Sequence, residues 1–135
     1  MNTAAKPSFA QLAAERYVSL MTFRRNGNGV ATPMWIAEYG GRLYAVTNGT
    51  SPKMKRLRLS DRIRLAVCDG RGKVRGEWVD GHARKVEDAA MIERATQALR
   101  QKYGWQMAVL RFFSDLFGRG RDRAFLEMTI ESTRS

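Results

Sequence analysis

YVSLMTFRRNGNGVATPMWIAEY, residues 17–39, decides the architecture. Residues 17–24 are rich in the β-branched and aromatic types that suit a pleated, half-buried surface. Asn26-Gly27-Asn28-Gly29 follows, and Gly and Asn are the residues that tolerate the positive φ of tight hairpin turns. Val30 to Tyr39 then returns as a second strand, so the sheet starts as an antiparallel hairpin. Pro33 has no N–H to give to a ladder, which predicts an edge or a bulge at that point.

Outward from the hairpin the same alternation continues. Gly40-Gly41 turns into a strand over 42–47, and a short basic helix is predicted over about 52–59. Residues 62–68 alternate Ile63, Leu65 and Val67 with Arg64 and Ala66, which reads as a half-buried strand. After Gly70-Arg71-Gly72 a long strand is expected over 74–86, bent at Gly76 and Gly81. Residues 87–103 form the clearest helix, with Met91, Ala95, Ala98, Leu99 and Lys102 on one stripe and Gly104 as its stop. A second helical stretch over 105–117 sets Val109, Phe112, Phe113 and Leu116 at helical spacing, a packing or subunit-contact stripe. Gly118 to Arg121 is a basic loop, and 124–131 alternates Leu126, Met128 and Ile130 as a last strand that must pair with an early one. Before the hairpin, 1–7 reads as a loose arm, and Ser8 caps a short helix through Phe9, Leu12 and Ala13. Six short strands, meandering first and interrupted by helices, predict a mainly β single domain over 1–135, an antiparallel barrel with helical additions. A parallel sheet would need a crossover helix between nearly every strand pair.

The chain has 135 residues and 24 Lys plus Arg against 13 Asp plus Glu. That formal charge of +11 predicts a polyanionic partner: nucleic acid, an anionic membrane surface or a phosphorylated cofactor. With one cysteine, Cys68, and one histidine, His82, neither an internal disulfide nor a zinc cluster is expected. No apolar run approaches the about 20 residues of a membrane span, and no signal-peptide pattern is present, so the expected location is the cytoplasm.

Thr47-Asn48-Gly49-Thr50-Ser51-Pro52-Lys53, followed by Met54-Lys55-Arg56-Leu57-Arg58, ends an apolar strand and opens the basic helix. The hydroxyls at 47, 50 and 51, the free N–H groups of a first helical turn and the Lys53 ammonium can converge on one phosphate. The same spacing also reads as ordinary capping, with Ser51 as N-cap and Pro52 as first helical residue. Lys53 and Arg56, three apart, share a helix face, and Met54 and Leu57 share the neighbouring buried one.

Catalytic side chains are not evident. His82 has no serine or cysteine at a recognisable motif spacing and reads as a structural or surface histidine, and Cys68 reads as a small buried hydrophobe. Glu77 and Asp80 flank Trp78 without forming an assignable acid–base pair. Trp35 and Trp78 are each either core or a flat surface for a ligand. An enzyme built on this chain would take its reactivity from a cofactor.

The order of elements and the loop motif resemble the pyridoxamine 5′-phosphate oxidase-like FMN-binding split barrels. Within them the chain is most similar to the branch of F420 (deazaflavin)-dependent oxidoreductases. The resemblance runs from about Tyr17 to Ile130. It is carried by Thr22-Phe23-Arg24-Arg25-Asn26-Gly27, Thr32-Pro33-Met34-Trp35, Leu43-Tyr44-Ala45-Val46-Thr47, Ser51-Pro52-Lys53-Met54-Lys55-Arg56-Leu57, Leu65-Ala66-Val67-Cys68-Asp69 and Gly76-Glu77-Trp78-Val79. It implies a six-stranded split β-barrel in which Thr47, Ser51 and Lys53 hold the cofactor phosphate, with Lys55 and Arg56 as helpers. It also implies that the backbone of Thr32, Pro33 and Met34 lies against the ring. Vitamin B6 oxidases proper carry an Arg-rich strand and a C-terminal Trp-Arg element, which this chain replaces with Thr32-Pro33-Met34-Trp35-Ile36 and Met128-Thr129-Ile130-Glu131. Pyridoxamine phosphate is therefore not the expected substrate.

The expected function is an F420- or FMN-dependent oxidoreductase, a homodimer that moves a hydride between the cofactor ring and a small organic substrate, with no nucleic acid, membrane or metal involved. Some relatives bind haem and some have no demonstrated ligand. One alternative is a split barrel that holds a cofactor without turnover. The other is a basic nucleic-acid-binding barrel, supported by the charge and three tryptophans but lacking aromatic-interleaved surface strands.

Overall fold

The computed structural model describes residues 6–104 and 123–131. Its elements are α1 (Phe9–Ala14), β1 (Val18–Phe23), β2 (Gly29–Met34), β3 (Ala37–Tyr39), β4 (Arg42–Asn48), α2 (Pro52–Leu59), β5 (Arg62–Val67), β6 (Val79–Val86), α3 (Ala89–Tyr103) and β7 (Arg123–Ile130). All seven strands join one sheet in the order β2-β1-β5-β6-β7-β4-β3, and every pairing in it is antiparallel.

The mainly β split-barrel class is as expected, with seven strands where the sequence predicts six. The reason lies at Trp35-Ile36: the return strand of the hairpin breaks there, so that β2 and β3 sit at opposite ends of the sheet order. Met34 and Ala37 are three peptide steps apart, at most about 10 Å of chain. The sheet must therefore curl until its two edges are neighbours, and the unpaired gap between them is the split. Pro33 lies in β2, on an edge strand as its missing N–H requires.

The long strand expected over 74–86 is shorter. Val74 makes only an isolated bridge to Cys68, and regular pairing begins at Val79. Gly81 has a packing reason, because a Cβ there would collide with the Thr129 carbonyl of the neighbouring strand. The last strand pairs on one side with β6 and on the other with the early β4.

Alternation drives the core. Val18 and Leu20, Leu43 and Ala45, Ile63 and Leu65, and Leu126 and Met128 all point inward and pack with Leu12, Met34, Ile36 and Met54. Ser8 and Gln11 close a capping box on α1. Pro7 is buried, so the packed part of the chain begins inside the arm predicted to be loose.

Asp88 caps α3, whose buried face is Ala95, Leu99 and Tyr103. Lys102, placed by periodicity on the apolar stripe, instead sends its ammonium to the carbonyls of Ala13, Glu15 and Ile36 at 2.8, 2.6 and 2.8 Å. Burial, and then Arg16, lower its pKa to about 8. Cys68 is buried, as expected, and burial followed by Asp69 pushes its thiol up. The helical stretch over 105–117, with Val109, Phe112, Phe113 and Leu116, and the basic loop at 118–121 lie outside the described residues. Among the described residues no helix is long and apolar enough to cross a membrane.

Candidate phosphate site at the start of the second helix

Strand β4 ends at Asn48, and the chain reverses through an Asx turn. The Asn48 Oδ1 accepts from the Thr50 N–H and the Thr50 hydroxyl, both at 2.8 Å, and the Ser51 N–H donates to the Asn48 carbonyl at 3.1 Å. The Thr50 hydroxyl is thus committed to the turn. Helix α2 then starts at Pro52, which needs no acceptor for its nitrogen, and the Ser51 carbonyl accepts from the N–H groups of Met54 and Lys55. Buried Met54 and partly buried Leu57 seat the helix on the core.

Ser51 occupies the N-cap position, but its side chain makes no capping hydrogen bond. Its Oγ is buried without a partner among the described residues. An unsatisfied buried hydroxyl costs about 1–3 kcal/mol, so the ordinary capping account leaves this atom unexplained. Two residues on, the Lys53 Nζ donates to the Thr47 Oγ1 at 3.1 Å and ties the first turn of α2 to the end of β4. One turn further, the Arg56 Nε donates to the Thr22 Oγ1 on β1 at 2.6 Å.

The electrostatics are one-sided. Burial, and then Arg56, lower the Lys53 pKa; burial, and then Arg24, lower that of Arg56. Each cation is thus perturbed by burial and by a second cation, with no carboxylate among the causes. Three positive groups and a buried free hydroxyl at the positive end of an eight-residue helix form a site that an anion would complete. Its donors suit a phosphate: hydroxyl, ammonium, guanidinium and the Lys53 backbone N–H, the N–H groups of Ser51, Met54 and Lys55 being used within the turn and the helix.

The sequence-predicted residues divide accordingly. Thr47 and Lys53 are hydrogen-bonded, Ser51 lies two residues before Lys53 at the helix start, and Arg56 follows one turn on. Lys55 is exposed, two positions from Lys53 and so on another side of the helix. Thr32 and Met34 lie on the strand face shared with Thr22, since Thr32 stands opposite Leu20 and Met34 opposite Val18. Met34 reaches the core, whereas Pro33 faces the other way, toward Gly72. Thr22 and Arg24, which the sequence reading gave no role, turn out to contact or repel Arg56. Only their place in the Thr22-Phe23-Arg24-Arg25 motif could have signalled it.

The remaining candidates lie elsewhere. Trp35 packs on Tyr103, and Trp78 is half-buried just before β6. His82, half-exposed, bridges Asp61 and Glu131 at 3.3 and 3.2 Å, within the structural or surface reading of it. Asp80 pairs with Arg64. Among the described residues no cluster of His, Cys, Asp and Glu could hold a metal.

The family model for pyridoxamine 5′-phosphate oxidase matches residues 6–135. The chain belongs to this family. No curated protein matches it. Solved structures share the fold of this pyridoxamine 5′-phosphate oxidase family member. One is a conserved hypothetical protein from Mycobacterium tuberculosis, with 21% identity, 97% of this chain and 85% of that chain covered, and a TM-score of 0.69. An FAD-binding protein from Mesorhizobium loti has 23% identity over 90% and 85% of the two chains, with a TM-score of 0.57. The heme storage protein HutZ from Vibrio cholerae has 11% identity over 92% and 86%, with a TM-score of 0.66.

Proposed function

We propose that this family member is an F420- or FMN-dependent oxidoreductase whose cofactor phosphate is held by Ser51, Lys53 and Thr47, with Arg56 beside them. One observation carries the reading: the Ser51 hydroxyl is buried without a partner among the described residues at the start of α2, two residues before Lys53, whose ammonium is tied to Thr47. A flavin or deazaflavin ring, when bound, supplies the hydride chemistry that no side chain here offers. The chain's own contribution is binding and orientation. Thr47 fixes Lys53, the start of α2 offers the Lys53 N–H and its positive dipole end, and the edge strand carrying Thr32, Pro33 and Met34 offers backbone for the ring to lie against. The substrate is a small organic molecule other than pyridoxamine phosphate. The functional unit is a homodimer, because a small barrel filled by its own side chains leaves a tricyclic ring a cleft between subunits.

A visible absorption spectrum of freshly purified protein, repeated during titration with FMN and with F420, tests this. Saturable binding of one of them with a shifted ring spectrum is the expected outcome, and no saturable change with either contradicts it. A second reading, in which the same loop holds a cofactor without turnover, draws on the fold shared with a heme storage protein. It predicts a tightly held ligand whose redox state no small organic substrate changes.

A further inference from the structure

Thr22 is a polar exception. Its strand neighbours on the same face, Val18 and Leu20, are core residues, yet Thr22 is 1% exposed and carries a hydroxyl. That hydroxyl accepts the Arg56 Nε at 2.6 Å. Among the described residues only the Nε finds a partner. The two terminal nitrogens of the guanidinium have no hydrogen bond or ion pair to any described residue, and the charged groups that perturb or are perturbed by Arg56 are the cations Arg24 and Lys53. An arginine held by Nε has lost most of its rotamer freedom while keeping the paired N–H donors that fit a phosphate edge.

We propose that Thr22 is a positioning residue for the phosphate site: by accepting from the Arg56 Nε it fixes the guanidinium so that its terminal nitrogens serve the same anion as Lys53 and Ser51. This rests on the phosphate reading above. It assigns Thr22 no contact with the cofactor, only the ordering of Arg56 before the anion arrives, so that binding loses less conformational freedom.

The test uses FMN and its phosphate-free analogue riboflavin on the full chain. Thr22→Val keeps the shape and removes the acceptor; Thr22→Ser keeps the acceptor. Thr22→Val should weaken FMN about tenfold, the equivalent of one hydrogen bond to a charged group. Riboflavin affinity should stay unchanged, and Thr22→Ser should bind FMN as the parent does. In an Arg56→Ala background Thr22→Val should have no further effect, because the group it positions is gone. An undiminished FMN affinity in Thr22→Val, an equal loss for riboflavin, or a full additional loss on top of Arg56→Ala each overturns the proposal. Lys53→Ala separates the two levels. If it weakens FMN while Thr22→Val does not, only the positioning role fails; if neither matters, or the parent binds neither FMN nor F420, the phosphate site falls with it, and where the parent binds F420 and not FMN the same variants are compared with F420.

Discussion

Trp35 lies flat on Tyr103, with ring centroids 4.6 Å apart and planes 7° from parallel. The residues are 68 positions apart, and their stack fastens α3 to the crossing where the chain passes between the two sheet edges. Tyr103 also satisfies the backbone at that crossing. Its hydroxyl oxygen accepts the Ile36 N–H at 3.0 Å, while its proton can go to the Arg16 carbonyl at 2.8 Å. Burial is the largest influence on it and pushes its pKa up to about 12.

Tyr103→Phe should keep the stack and leave the Ile36 N–H without its acceptor. A loss of about 1–3 kcal/mol follows, the cost of a buried unsatisfied donor. Urea unfolding measures it, and Tyr103→Leu, which also removes the stack, should lose more.

Glu127 is a buried carboxylate on β7 that accepts from the Tyr44 hydroxyl and the Arg84 Nε, both at 2.7 Å. Burial is the largest influence and raises its pKa, but the Tyr44 hydrogen bond and Arg84 outweigh it and hold the carboxyl below its ordinary 4.5. A depressed folded pKa means stabilisation that is present above the unfolded value and lost as pH falls through the folded one. Glu127→Gln should therefore narrow the stability gap between neutral and acid pH. Tyr44→Phe should cost about 1.5–3 kcal/mol at neutral pH. Chemical denaturation across that pH range reads both.

His82 has its folded pKa raised, chiefly by the hydrogen bond to Asp61, with Glu131 adding to it. Its contribution is fully present below about 6.5, the unfolded value, and fades as pH rises through the folded pKa. NMR titration of this single histidine should give a midpoint above 6.5, and Asp61→Asn should move it down. A midpoint at or below 6.5 in the parent would show that the two carboxylates do not hold the imidazolium.

Much of this was legible in the sequence because it is local. Hairpin chemistry at 26–29, alternation at Ile63, Leu65 and Val67, and the helix over 89–103 depend on neighbours within a few residues. The Thr47, Ser51 and Lys53 grouping was legible for the same reason, since all three lie within one strand end and one helical turn. What was hidden depends on contacts far apart in the chain. The break at Trp35-Ile36 is fixed by Tyr103 and by Lys102, whose ammonium meets the Ile36 carbonyl. The partnership of Arg56 with Thr22 spans 34 positions. Periodicity put Lys102 on an apolar face because it reads position and not the reach of a long side chain to buried carbonyls.

The most direct measurement is the FMN and F420 affinity of Lys53→Ala beside the parent, with thermal unfolding run in parallel. Lys53 is partly buried and makes one hydrogen bond to the sheet, so its loss should leave the fold intact. Removing one charge-assisted phosphate contact should cost about 1.5–3 kcal/mol, or about ten- to a hundredfold in the affinity for the cofactor the parent binds. Affinity equal to the parent's in a folded Lys53→Ala variant would contradict the phosphate site at the start of α2.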